Sequence, residues 1–299
     1  MKKLLNSTWL WIMVFILGIL VILYPTISNA WNERVIKKLF VEYDEAVNLL
    51  EIKDKERILR EAAIYNASLI GNVLPDAFAE EEANKPNEAY EDILNPYGDG
   101  LMGILDIPVI NVKLPVYHYT TEVVLEKGVG HLPGSSLPVG GESTYSVLSA
   151  HRGLPSAKLF TDLDLVKEGD HFFFNVMGEE LAYEVDFIKV IEPDDTSDLM
   201  IIEGEDYCTL FTCTPYAVNS HRLLVRGHRV DFTSELMEEE MQKTAGLKWW
   251  YVLMQFLSAL LGLIIAIVIV VIFRLQKRKK LRANKNGISF DVKREEKNE

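Results

Sequence analysis

Long uncharged apolar runs lie near both ends of the chain. Residues 9–24 follow Lys2 and Lys3, and residues 249–273 precede a cluster of arginines and lysines. A helix of about 20 apolar residues crosses the hydrocarbon core of a bilayer, and flanking basic residues stay on the cytoplasmic side. The pattern predicts a membrane-spanning helix at each end, both termini in the cytoplasm, and the middle of the chain on the extracellular face.

The first run has a second interpretation as a cleaved secretory signal. The small residues Ser28, Asn29 and Ala30 would then form the cleavage site. The run slightly exceeds the usual hydrophobic region of a signal peptide, about 7 to 15 residues, which favours an uncleaved anchor. Both interpretations place the middle of the chain outside the cell.

Apolar positions in residues 31–71 recur with the period of an α-helix. Val35, Leu39 and Tyr43 share one helical face, and Gly71 suits a helix C-terminus. The pattern predicts an N-terminal helical region, interpreted as a structural helical hairpin that packs its apolar face on the rest of the domain.

The next segment, residues 72–99, has no strong period, contains prolines and is strongly acidic. Long connections of this kind are uncommon in compact domains and usually act as linkers or as lids over a site. We therefore expect a long loop here, either a functional lid or an acidic solvated linker.

Residues 100–233 change to short apolar runs separated by glycine and proline. Leu181, Tyr183 and Val185 alternate with polar residues, which is typical of a half-buried strand. One short helix is expected near residues 156–164. Seven or eight strands indicate a closed barrel or a sandwich. The predicted strands are 103–107, 112–117, 145–150, 171–176, 181–191, 207–212 and 222–232.

Composition and charge exclude two broad classes. The chain is 48% hydrophobic and 25% charged, which is too apolar for a disordered protein. Its formal net charge of −13 lacks the basic surface that nucleic-acid binding requires. Most acidic residues lie between the two apolar runs, which suits a solvated exported domain. We expect no nucleic-acid partner.

The two cysteines, Cys208 and Cys213, are too few for a disulfide framework. Their separation of five residues in one extended stretch directs them to opposite faces of a strand, so a bridge between them is not expected. Cys213 precedes Thr214-Pro215 and therefore lies where the strand should end.

A cysteine nucleophile needs a neighbouring base or cation, because a free thiol with a pKa of about 8.5 is mostly neutral at pH 7. His151 follows another apolar run and can supply that group. Arg222 opens a later strand, and its guanidinium can hold an oxyanion. Spacing alone leaves two alternatives open. Cys213 can be a buried small hydrophobe, and Arg226, on the same strand face as Arg222, can take the arginine role.

Other chemical motifs are absent from the sequence. It contains no HExxH, no CxxC pair, no glycine-rich GK[ST] loop and no GxSxG elbow. The strongest signals for zinc, nucleotide and serine-hydrolase sites are thereby missing. The remaining candidate chemistry, nucleophilic attack by a thiol, requires no metal and no cofactor.

Three motifs together resemble the sortase family. TLFTC at 209–213 is similar to the family's cysteine motif, and SAHRG at 149–153 is similar to its strand-end histidine motif. NSHRLLVRG at 219–227 resembles the segment with the active-site arginine, and this match selects Arg222 over Arg226. Further stretches are most similar to class C, the pilin-polymerising sortases, and the resemblance covers roughly residues 35–232. These stretches are MGILDIPVI, LPVYH, GVGHLPGSSLPVGG, HRGLPSAKLFTDLD and TCTPYAVNSHRLLVRG.

The resemblance implies a mainly β fold, a closed sortase-type β-barrel of about eight strands with N-terminal helices and a membrane-spanning helix at each end. The expected boundaries, from the N-terminus, are an anchor at 1–30, helices at 31–71, a lid loop at 72–99, the catalytic barrel at 100–233, a linker at 234–248, a transmembrane helix at 249–273 and a basic cytoplasmic tail at 274–299.

The resemblance also implies a transpeptidase that cleaves an LPxTG-like sorting signal on a pilin. Cys213 would form the thioester, Arg222 would stabilise the oxyanion, and His151 would protonate the leaving amine. A lysine of another pilin would resolve the thioester, with membrane lipid as the other partner and no cofactor. Two alternatives are a housekeeping-type sortase that attaches proteins to cell-wall peptide and a non-catalytic membrane-tethered β-domain that binds partners.

Class C sortases carry a lid whose Asp-Pro-aromatic motif plugs the active site. The counterpart in this chain is Asp76-Ala77-Phe78, which lacks the proline. We expect Asp76 to pair with the arginine and Phe78 to cover the cysteine. The alternative is that this acidic segment is only a solvated loop.

Overall fold

The computed structural model describes residues 8–243 and isolated positions between 253 and 275. The chain divides into one unit of residues 1–244 and a second of residues 245–299. The described positions of the second unit are helical. The predicted transmembrane helix at 249–273 and the basic tail at 274–299 lie largely outside the described residues.

The first unit contains a closed eight-stranded β-barrel with the strand order β1-β2-β3-β4-β7-β8-β6-β5. Two neighbouring pairs, β2 with β3 and β4 with β7, are parallel, and the other pairs are antiparallel. The predicted mainly β barrel of about eight strands is confirmed. The strands are β1 (Leu101–Ile107), β2 (Val112–His118), β3 (Val129–His131), β4 (Thr144–Ser149), β5 (His171–Val176), β6 (Glu179–Ile191), β7 (Asp206–Thr214) and β8 (His221–Val230).

In the described part of the chain, five α-helices precede or interrupt the strands. The helix α1 is continuous through residue 30, with Pro25 inside it. Within the part of the chain that the structure describes, no single helix has both the length and the apolarity of a membrane span. Two segments of α1, Phe15–Val21 and Leu23–Leu49, pass that test only as a pair bent by 42°. The helices are α1 (Thr8–Leu49), α2 (Ile52–Ala67), α3 (Glu80–Ala83), α4 (Glu88–Glu91) and α5 (Glu122–Leu125).

One strand was not predicted from the sequence, and one expected helix is wrong. The strand β3 was not predicted, because three residues are too few to display an alternating pattern. The helix expected near residues 156–164 is an irregular loop that ends in a 3₁₀ turn at Leu163–Leu165. In that loop the carbonyl of Ser156 accepts hydrogen bonds from side chains of α1 instead of from an amide one helical turn later.

Buried apolar side chains form two clusters. The larger cluster fills the barrel and includes Leu148, Phe172 and Leu210. The second lies on the opposite face of β4, β7 and β8, where Val147 and Phe211 are completely buried. The segment 72–99 covers this face, so an outer surface that a barrel would otherwise expose to water becomes a second core.

Buried polar contacts fix the first two helices to the barrel. The hydroxyl of Tyr43 donates to the carbonyl of Met102 at 3.0 Å and accepts from the amide of Met177 at 2.9 Å. The side-chain amide of Asn66 pairs with both backbone groups of Leu137, at 3.0 and 2.7 Å. Buried polar groups are costly to leave unpaired, so these contacts define where α1 and α2 pack.

The Tyr43→Phe substitution tests this attachment. It removes the shared hydroxyl and leaves one donor and one acceptor unpaired in the interior, which is expected to lower the free energy of unfolding by about 1–3 kcal/mol. Urea denaturation of the full-length protein in mild detergent measures the change. Tyr97→Phe is the matched control, because Tyr97 is 55% exposed. Equal stability of the two variants would contradict the role of Tyr43.

Candidate active site

Strand register brings three of the predicted site residues to one level of the barrel. The parallel register of β4 and β7 pairs Ser149 with Phe211, and two further residues along both strands place His151 beside Cys213. The antiparallel register of β7 and β8 pairs Cys213 directly with Arg222. Neighbouring strands are about 4.8 Å apart, so three consecutive strands present histidine, cysteine and arginine side by side.

The two cysteines face opposite sides of β7, as their spacing predicts. Both are free thiols, and Cys208 is buried in the barrel core whereas Cys213 is partly exposed. Burial raises the pKa of the Cys208 thiol well above its ordinary value. Cys208 is therefore inert, and Cys213 is the thiol with a path to a substrate.

An ion pair connects the segment 72–99 to the end of β8. Nε of Arg222 donates to the carboxylate of Asp76 at 2.9 and 3.2 Å, and Nη2 lies 2.5 Å from Oδ2 of the same carboxylate. The side chains of Arg222 and Asp76 are only 10% and 12% exposed. The remaining nitrogen, Nη1, donates to the carbonyls of Asn219 and His221. All three guanidinium nitrogens are thus engaged within the protein.

The ring of Phe78 lies over the same group of residues. Its centroid is 5.8 Å from that of His151 and 6.0 Å from that of Phe211, and Cζ of Arg222 lies 5.2 Å from it. Cation–π attraction and apolar contact both favour this position. Phe78 therefore spans the distance from the histidine to the arginine and covers the groove between them.

The bend between Asp76 and Phe78 forms without the proline of the family motif. Oδ1 of Asp76 accepts a hydrogen bond from the amide of Phe78 at 3.3 Å, the side-chain-to-backbone contact of an Asx turn. Ala77, which stands at the proline position, is completely buried. Thr196 also donates to the carbonyl of Leu74 at 2.7 Å. These contacts hold the turn that a proline would otherwise restrict.

The covered site disfavours ionisation of Cys213. Its pKa is raised, first because burial penalises the thiolate and also because the Asp76 carboxylate is near, while the Arg222 guanidinium opposes the shift. Asp76 also offsets the charge of Arg222, the cation that would stabilise a thiolate. With the segment in place, the thiol is largely neutral at pH 7.

Two residues at the site were missed in the sequence. Nε2 of His151 lies 3.1 Å from both carboxylate oxygens of Glu122. Arg152 donates to the carbonyl of Thr161 at 3.1 Å and to the hydroxyl of Thr214 at 3.2 Å. The partners are 29, 9 and 62 positions apart in the chain, so no local pattern signals these contacts. Arg152 connects the loop after His151 to the residue that follows Cys213.

The rival arginine is engaged elsewhere. Arg226 makes two hydrogen bonds to the carboxylate of Asp186, at 3.0 and 2.8 Å, and lies over the rings of Phe187 and Tyr207. Four residues of strand separate it from Arg222, or about 13 Å. Arg222 is thus the arginine beside Cys213. Among the described residues, no group of three or more His, Cys, Asp or Glu side chains is arranged to hold a metal ion.

Sequence comparison identifies related proteins. The Sortase domain family matches residues 105–230. Sortase D of Bacillus subtilis (strain 168) is 34% identical over 131 residues, which cover 43% of this chain and 63% of the relative. Sortase A of Bacillus anthracis is 29% identical over 130 residues, which cover 44% and 60%. The chain thus spans slightly less than two thirds of the length of these curated relatives.

Solved structures of class C sortases are more similar. Sortase C1 of Streptococcus agalactiae has 48% identity and a TM-score of 0.58, with 65% of this chain and 95% of that chain covered. Sortase C-1 of Streptococcus pneumoniae has 46% identity and a TM-score of 0.61, with 66% and 100% covered. Sortase C-1 of Actinomyces oris has 44% identity and a TM-score of 0.56, with 60% and 99% covered.

Opening the segment 72–99 should activate the thiol. In the double variant Asp76→Ala/Phe78→Ala, Cys213 is uncovered and Arg222 is no longer neutralised, so the pKa of the thiol falls. Alkylation by iodoacetamide at pH 7 is expected to be about 10-fold faster or more, with its midpoint at lower pH. The pH dependence of the labelling rate, followed by intact mass, measures the effect.

Glu81→Ala is the matched control, because Glu81 is an exposed acid of the same segment. Cys213→Ala in the opened background identifies the labelled thiol, since Cys208 is buried. Equal labelling rates in the double variant and in Glu81→Ala would show that the segment does not restrain Cys213.

Proposed function

The chain belongs to the sortase family, within class C, and we propose that it is a cysteine transpeptidase that joins pilin subunits into covalent pili. The observation that carries this proposal is the register of β4, β7 and β8, which aligns His151, Cys213 and Arg222. A thiol, a base and a fixed cation are the groups that acyl transfer through a thioester needs.

In the first step, the Cys213 thiolate attacks the carbonyl between Thr and Gly of an LPxTG-like sorting signal. Arg222 stabilises the resulting oxyanion with N–H donors that do not deprotonate. His151, as imidazolium, gives its proton to the amine of the departing glycine while the C–N bond breaks. The product is a thioester between Cys213 and the threonine of the pilin.

In the second step, a lysine amine of another pilin attacks the thioester. The C–S bond breaks, Cys213 leaves as a thiolate, and neutral His151 takes the proton that the amine loses. The product is an isopeptide bond between two subunits. The reaction moves one acyl group and one proton at a time, so it needs neither a metal nor a redox cofactor.

We propose that the segment 72–99 is an inhibitory lid. Asp76 occupies the guanidinium donors that the oxyanion would use, and Phe78 covers the groove between His151 and Arg222. A solvated acidic linker would not bury Asp76 to 12% exposure or Ala77 completely. The lid must leave before a sorting signal can bind, which makes its opening the point of control.

Sortases are membrane-anchored enzymes with an extracellular catalytic domain. For this chain we propose two anchors, residues 9–24 and 249–273, with the catalytic barrel at 100–233 and both termini in the cytoplasm. The supporting features are the two uncharged runs and the basic residues beside each. Confinement of enzyme and membrane-tethered pilins to one surface would raise their effective concentration.

The two alternative functions are less well supported. A housekeeping-type sortase would attach proteins to cell-wall peptide, but the solved structures with 44–48% identity are class C enzymes. A non-catalytic binding domain would give no reason for a lid that engages Arg222 and covers His151. The identity of the acceptor amine tests the housekeeping alternative, and the Cys213→Ala substitution tests the binding-domain alternative.

The thioester is the direct test of the first step. The full-length Asp76→Ala/Phe78→Ala variant in detergent is incubated with a peptide that contains LPxTG, and its intact mass is measured. We expect a mass increase equal to the acyl fragment, and no increase when Cys213 is also changed to Ala. A folded protein with a reactive thiol and no adduct would refute cleavage of this signal.

Acceptor choice tests the second step. In a pilus-forming host, Cys213→Ala is expected to abolish the high-mass pilin ladders, because no thioester forms. Replacement of the acceptor lysine of the pilin by arginine should abolish the ladders as well, since arginine is a poor nucleophile at neutral pH. Ladders that persist in Cys213→Ala would exclude this enzyme as the polymerase, and transfer to a wall-peptide amine alone would favour the housekeeping function.

A further inference from the structure

The carboxylate of Glu122 is a feature that the proposed mechanism does not yet use. Both of its oxygens lie 3.1 Å from Nε2 of His151. We propose that Glu122 is a positioning residue that fixes the ring orientation and proton position of His151. This inference rests on the proposed transpeptidase function and deepens it, because it assigns the two ring nitrogens different tasks.

The fold holds Glu122 beside the end of β4. The antiparallel register pairs Gly130 with Ser149 and His131 with Leu148, so the same register extended by two residues places Gly128 opposite His151. Glu122 is the first residue of α5, and the chain continues from this helix to Gly128. Glu122 therefore reaches His151 from the connection between β2 and β3.

The connection itself is anchored on both sides of Glu122. The amide of Thr120 donates to the side chain of Asn84 at 2.6 Å, and Leu125 is 2% exposed. The amides of Val124 and Leu125 both donate to the carbonyl of Thr121, at 2.9 Å each. The carboxylate thus projects from a fixed backbone rather than from a mobile tip.

The contact determines which nitrogen of His151 is available for proton transfer. An ionised carboxylate only accepts hydrogen bonds. Nε2 therefore keeps its proton and donates a hydrogen bond to Glu122, whether the ring is neutral or charged. Nδ1 is then the nitrogen that gains and loses the catalytic proton. The neutral tautomer with its lone pair on Nδ1 is the form that takes a proton from an incoming lysine.

Charge around His151 changes when the lid opens. The groups that face or neighbour it are Glu122 from α5, the Cys213 thiol from β7, Arg222 from β8 and Asp76 from the lid. In the closed form Asp76 neutralises Arg222. Without the lid, Arg222 is an uncompensated cation near His151, and Glu122 is the carboxylate in contact with the ring. Glu122 therefore matters most in the open, catalytic form.

The expected size of the effect is moderate. The side chain of Glu122 is 60% exposed, so water screens its charge, while that of His151 is only 19% exposed. Exposed pairs of this kind are worth up to about 1 kcal/mol. Loss of the charge should therefore lower kcat by about 2- to 5-fold rather than abolish activity.

The kinetic test compares Glu122→Gln with Glu126→Gln in the full-length Asp76→Ala/Phe78→Ala background. Glu126 is an exposed acid just beyond α5 and has the same charge. Cleavage of the LPxTG peptide by Glu122→Gln should show a lower kcat with an unchanged KM. Glu126→Gln should match the background. Equal effects of both substitutions, or a raised KM for peptide or amine with kcat unchanged, would overturn the proposal.

A second measurement needs no substrate. In protein with ¹⁵N-labelled histidine, the ring resonances of His151, assigned by their loss in His151→Ala, report which ring nitrogen carries the proton. In the background, the neutral ring of His151 should carry its proton on Nε2. Glu122→Gln, but not Glu126→Gln, should raise the fraction of the Nδ1-protonated tautomer, because a side-chain amide can donate to Nε2 as well as accept from it. An Nδ1-protonated ring in the background, or identical tautomer populations in the two variants, would overturn the positioning role even if peptide cleavage failed. Failed cleavage with the expected spectra would instead count against the proposed function.

Discussion

The parallel pairing of β4 with β7 is the constraint on which the site depends. Parallel neighbours end at the same edge of a sheet. His151, which lies just after β4, and Cys213, near the end of β7, therefore come together although 62 positions separate them in the sequence. The antiparallel return of β8 then adds Arg222 without a further connection. Since each strand is held by two neighbours in a closed barrel, this alignment is a property of the fold and not of the loops.

The same three strands also carry the apolar surface that residues 72–99 cover. Their outer face carries Tyr145, Phe211 and Leu224. Without residues 72–99 over them, these side chains would form an exposed apolar patch. The lid buries this patch, so its closed position is stabilised by apolar area as well as by the Asp76 ion pair. We propose that a sorting signal, whose leucine and proline offer similar apolar groups, competes with the lid for the same surface. In this proposal, substrate choice and inhibition by the lid both depend on one apolar face.

The sequence predicted much of this arrangement, for identifiable physical reasons. Alternating apolar positions such as Leu181, Tyr183 and Val185 define long strands, and the strand ends at His151 and Cys213 could be read from neighbouring Gly and Pro residues. The barrel closure, and the choice of Arg222 over Arg226, came from the family resemblance. Short β3 and the contact between Glu122 and His151 could not be predicted, because they depend on which strands become neighbours in three dimensions.

The contacts around the site also indicate which parts stay fixed during turnover. The loop after His151 is held from two directions: Ser28 and Asn32 of α1 donate to the carbonyl of Ser156 at 2.8 and 2.7 Å, and Arg152 reaches Thr214 at 3.2 Å. The lid turn has the Asp76 ion pair, the Thr196 contact and its apolar side chains. A bound substrate can take over the contacts that the lid makes with Arg222 and with the apolar face. The hydrogen bonds that hold the loop after His151 have no such replacement in the reaction. We therefore propose that the lid is the element that moves, and that the strands β4, β7 and β8 stay fixed while it opens.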